Sequence, residues 1–126
     1  MANNGFIFVS DVESYHGEGY EARLPRGLTT ERALCRALAA ALKFPSYFGE
    51  NWNALLDLLR DLSWIDEHVV TIIHGEIPRI GDSAARVYLE VLRDAVEDWK
   101  PGEEHELRAV FPAGEKPAVH KLLGLD

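Results

Sequence analysis

The chain has 126 residues, 47% of them hydrophobic and 27% charged, a composition that fits one globular domain (1–126) and excludes a disordered chain. Its formal net charge of −8 opposes nonspecific binding to nucleic acid, whose phosphates would repel it, and suits a basic protein partner. Cys35 is the only cysteine, and neither a signal peptide nor a long apolar run is present, so a reducing, cytoplasmic setting without membrane attachment is expected.

Phe6 to Ser10 is a short β-rich run, and the polar, glycine-containing residues 11–19 read as a loop. Tyr20 to Leu24 alternates apolar with polar residues and stops at Pro25 and Gly27, which predicts a second strand. Thr29 or Thr30 then caps a helix whose buried stripe is Leu34, Leu38, Ala41 and Leu42. After the stretch described next, Val69, Val70, Ile72 and Ile73 form an apolar run between His68 and His74. Such a run predicts a strand covered on both faces. Asp82 or Ser83 is expected to cap a helix reaching about Trp99, with Ala84, Tyr88, Val91, Leu92, Ala95 and Trp99 inward. Leu107 to Phe111 is the next strand, which makes 68–111 a βαβ unit, and a short helix follows within 115–123.

The stretch from Phe44 to Leu62 organises the rest. Pro45 and Gly49 punctuate a loop, and Asn51 caps a helix starting at Trp52. At 100° per residue Trp52, Leu55, Leu56, Leu58, Leu59 and Leu62 share one face, while Asn53, Asp57, Arg60 and Asp61 share the other. Any amphipathic surface helix shows a polar face without a binding role. What separates this one is Tyr47-Phe48-Gly49-Glu50-Asn51-Trp52, three aromatics beside a glycine and a cap, none of which a helix requires.

At Pro45, Tyr47, Phe48, Gly49, Glu50 and Asn51, followed by Asn53 and Asp57, the sequence resembles the barstar family of bacterial ribonuclease inhibitors. The resemblance is close over residues 44–62 and looser, in element order, from about Tyr20 to Phe111. It implies an α/β fold with a small, mainly parallel three-stranded sheet packed against helices. Residues 1–19 would be an N-terminal addition with room for an extra edge strand. It also implies that the protein inhibits rather than catalyses, that a basic secreted or delivered ribonuclease toxin is the partner, and that Tyr47, Asn53, Asp57 and Asp94 touch it. Leu56, Arg60 and Asp61 complete that candidate face. Two departures stand out: Asn53 is neutral where the best-known member has an acid, and Leu56 stands for a tryptophan. Asp94 is one methylene shorter than the expected glutamate.

Motifs for other chemistry are missing. The five histidines have no metal-ligand spacing, and no phosphate-cradling glycine loop or nucleophile elbow occurs, so no metal and no cofactor is expected. Asp57 and Asp61 stand at i,i+4, but exposed carboxylates at that spacing stay ionised, and Arg60 between them softens their repulsion. A competing reading uses His74 and Glu76 at a strand end as a small-ligand or enzymatic site. A structural adaptor without a nuclease partner is the third.

Overall fold

The computed structural model describes residues 5–125. In its strand β3 (Val69–His74) all six residues are buried, as an unbroken apolar run demands of a strand covered on both faces. On one side β3 pairs with β2 (Tyr20–Leu24) and on the other with β4 (Glu106–Pro112). Beyond β4 lies β1 (Phe6–Val9), so the sheet order is β1-β4-β3-β2 and every pairing is parallel. The three strands expected from the sequence are present, and the room left for an N-terminal edge strand is filled by β1.

All four helices lie on one face: α1 (Glu31–Leu42), α2 (Trp52–Asp61), α3 (Asp82–Asp98) and α4 (Lys116–Leu123). Val70 and Ile72 point into that layer with Ala22, Leu107 and Ala109, where Leu34, Leu38, Leu55, Leu59 and Leu89 meet them. Parallel strands need a crossover after each, and those through the helices all step in one direction across the sheet. The return from β1 to β2 must step back, so it keeps the same hand only by using the opposite face. Residues 10–19 do this. Val12 packs on Ile73 and Val110, the apolar residues of the second face. Arg23 donates to the carbonyls of Val12, at 2.9 Å, and of Tyr15, while the Glu21 carboxylate accepts from the Gly17 N–H at 2.8 Å. Burial alone would raise the Glu21 carboxyl, yet that N–H, Arg23 and His16 hold it below the ordinary value. Gly17 lies so close to the sheet that a Cβ there would stand 3.1 Å from the Thr71 hydroxyl.

Two helix ends differ from expectation. Gly81, not Asp82 or Ser83, precedes α3; its φ of 96° suits glycine, and its carbonyl accepts from the Ala85 N–H. The buried stripe of α3 shifts with it, adding Ala85 and Leu89 while Ala84 is only half-buried. Leu62 falls outside α2, in a left-handed turn with φ 51°, yet it stays fully buried.

α1 ends in the same way at exposed Lys43, with φ 56° and ψ 49°, a conformation that costs an L-residue about 1–2 kcal/mol and glycine little. Because glycine also gains unfolded-state entropy, Lys43→Gly should stabilise the protein by no more than about 1 kcal/mol. A rise in the urea midpoint at constant slope checks this.

Candidate protein-binding face

The loop between α1 and α2 is set by where its aromatics go. Phe44 stacks edge-on against Phe48 at 4.9 Å and Trp64 at 5.9 Å, and Trp64 donates its indole N–H to the Leu42 carbonyl. With Phe48 turned inward by a hydrogen bond from its N–H to the Pro45 carbonyl, Tyr47 is forced out, 72% exposed. Glu50 takes a left-handed φ of 55° and leads into Asn51, whose side-chain oxygen accepts from the Ala54 N–H at 2.8 Å. The cap expected from the sequence is present.

α2 then buries Leu55, Leu58 and Leu59 and exposes Asn53, Asp57, Arg60 and Asp61. Leu56 is half-buried against the core. Trp52 sits against Tyr88 of α3 at one end, and Trp99 after α3 donates to the Leu59 carbonyl at the other, so the two helices run side by side in the same direction. Arg60 pairs with neither Asp57 nor Asp61, its neighbours in sequence, but with Asp98. Both its Nε and a terminal nitrogen reach Asp98 Oδ2 across the helix pair, each at 2.5 Å. One turn back along each helix from that bridge stand Leu56 and exposed Asp94. Asp57, Asp61 and Asp94 have no ion-pair partner among the described residues.

The strand-end residues of the competing reading are spoken for. His74 is fully buried and stacks on Phe111 at 4.0 Å. Its Nδ1 faces the Val110 carbonyl at 3.0 Å and its Nε2 the Tyr88 hydroxyl at 2.7 Å. A carbonyl only accepts, so the proton is on Nδ1, and Nε2 accepts from Tyr88. Burial drives the His74 pKa down to about 4, against smaller opposing contributions from Val110 and Ile72. Glu76 braces the neighbouring loop: it accepts from the Gly27 N–H, which first of all lowers its carboxyl pKa, and pairs with Arg79. Burial pushes the Cys35 thiol up, away from nucleophilic use. Among the described residues no three His, Cys, Asp or Glu side chains are grouped to hold a metal ion, and no helix is long and apolar enough to cross a membrane.

The fold defines the class first: a parallel sheet with the described helices on one face, and an exposed tyrosine in the loop that enters α2. The sequence matches the family model described as Barstar (barnase inhibitor) over residues 24–112, and the chain belongs to that family of ribonuclease inhibitors. No curated protein matches it. The matched region holds the α1–α2 loop, α2, β3, α3 and β4; β1 and the segment crossing the second sheet face precede it.

Proposed function

We propose that this protein binds a basic ribonuclease toxin, secreted or delivered between cells, and blocks its active site with the outward face of α2, acting as an immunity protein in the cytoplasm. A ribonuclease active site holds cations that grip phosphates, and carboxylates on a rigid helix take the place of RNA. The observation that carries this reading is the set of exposed carboxylates without ion-pair partners among the described residues, Asp57, Asp61 and Asp94, with outward Tyr47 in the loop that enters α2, in a chain of the inhibitor family. Asp57 is the principal contact, Tyr47 the aromatic one, and Asn53 a neutral hydrogen-bonding group. Asp94 adds charge from α3, and Leu56, Arg60 and Asp61 form the rim. This arrangement calls for no catalysis by the inhibitor itself. Immobilised protein should capture a basic ribonuclease from the native cell. Captured material that cleaves no RNA after it has been released from the inhibitor and refolded would contradict the reading.

Opposite net charge speeds encounter through the long-range field, and salt screens it over about 8 Å at physiological ionic strength. The association rate with the captured nuclease should therefore fall at least about tenfold as salt rises from low to molar levels. Stopped-flow rates that stay flat with salt would remove steering from the account.

A further inference from the structure

One turn beyond Asp57 and Asp94, where the Arg60–Asp98 bridge joins α2 to α3, the surface opens into a hollow of about 230 Å³. Arg60, Asp98, Trp99 and Glu103 line it. The indole is fixed from behind: its N–H is held by the Leu59 carbonyl, and His105 meets the ring edge to face at 5.4 Å. Both nitrogens that Arg60 brings to Asp98 reach the same oxygen, Oδ2, so Oδ1 is not engaged by any of the described residues. Glu103 accepts from the Lys100 N–H through Oε1, and Oε2 is not engaged by any of the described residues. The hollow therefore combines an aromatic wall with two exposed carboxylates, each with an oxygen open to a donor from outside the chain. Its lining carries one positive and two negative charges, so a single entering cation makes it neutral.

We infer that this hollow is a second contact with the bound ribonuclease and takes one arginine side chain projecting from it. The inference rests on the inhibitory reading of the neighbouring α2 face. Arginine fits better than lysine because a planar guanidinium stacks on an indole while its fork donates to two carboxylates, whereas an ammonium offers only a point charge. The contact would extend the α2 face toward the end of α3 and add a cation requirement that a nuclease without an arginine there fails to meet.

Nα-acetyl-arginine amide, titrated into the whole protein while the Trp99 indole N–H is followed by NMR, tests this without the nuclease. The signal is assigned through Trp99→Phe. The Trp99 signal should move saturably while those of Trp52 and Trp64 stay in place, and acetyl-lysine amide should bind at least threefold more weakly. Glu103→Gln keeps the acceptor for the Lys100 N–H and should weaken the arginine amide at least threefold. An unmoved Trp99 signal, equal response to the two amides, or an unchanged affinity in Glu103→Gln overturns the inference. None of these outcomes involves Asp57, whose substitution tests the inhibitory reading separately.

Discussion

Lowering the pH from 7 to 4 should remove about 3 kcal/mol of folding stability through His74 alone. In the folded protein its pKa is lowered to about 4, against an ordinary value of 6.5, because the imidazole is wholly buried, which outweighs the opposing contributions of Val110 and Ile72. A second proton would place an uncompensated charge in a fully buried site, even with the Tyr88 hydroxyl turned to accept from Nε2–H. As the pH falls below 6.5 the unfolded chain takes up this proton and the folded chain does not, so stability declines until the folded value is passed. Carboxylates such as Glu21 and Glu76, whose folded values are depressed, lose their contributions at the acid end of the same range. The double variant His74→Leu, Tyr88→Phe separates the two. It replaces both hydrogen-bonding partners by apolar groups, which is far milder than stranding one of them. Urea unfolding at several pH values should show the slope between 6.5 and 4 in the parent and lose most of it in the double variant. Parallel slopes would place the titration elsewhere.

Asp57→Ala should leave the fold intact and weaken nuclease binding by at least about 2 kcal/mol, the usual hot-spot threshold, for which barstar itself is a type example. A solvated helix carboxylate with no partner would behave otherwise: its loss changes stability by within about 0.5 kcal/mol and binding not at all. Part of the expected loss belongs to the nuclease, whose active-site cations would be left buried without a counter-charge. Asp61→Ala should cost less, because it lies a turn farther from Tyr47 and closer to the Arg60–Asp98 bridge. Calorimetry of both variants against the captured nuclease reads the difference.

The stretch that organises the molecule was legible because its signals are local. Asn51 caps a helix three residues before Ala54, and leucines at helical spacing identify the buried side of α2 without any knowledge of what covers it. The apolar run of β3 announced a strand with two covered faces in the same way, though not that residues 10–19 supply the second cover. What escaped the sequence depends on partners far along the chain. Arg60 is separated from Asp98 by 38 residues, and nothing in either neighbourhood links them, so Arg60 was read against the nearer aspartates. A hydrogen-bonded histidine is the commoner expectation at a strand end, but its partners, Tyr88 14 residues later and Val110 36 residues later, are not legible from its neighbours in sequence. The cap of α3 differs for a third reason. Asp82 and Ser83 are good capping residues, but Gly81 supplies a positive φ that starts α3 one residue earlier.

The most direct test of inhibition through α2 is a titration of RNA cleavage. The captured ribonuclease is held at a fixed concentration and the protein, or its Asp57→Ala form, is added in steps. The account predicts a linear fall to zero activity at one equivalent of the parent and a curved, incomplete fall with Asp57→Ala. Cleavage that persists at a tenfold excess of the parent, or the same sharp endpoint with both proteins, would contradict it.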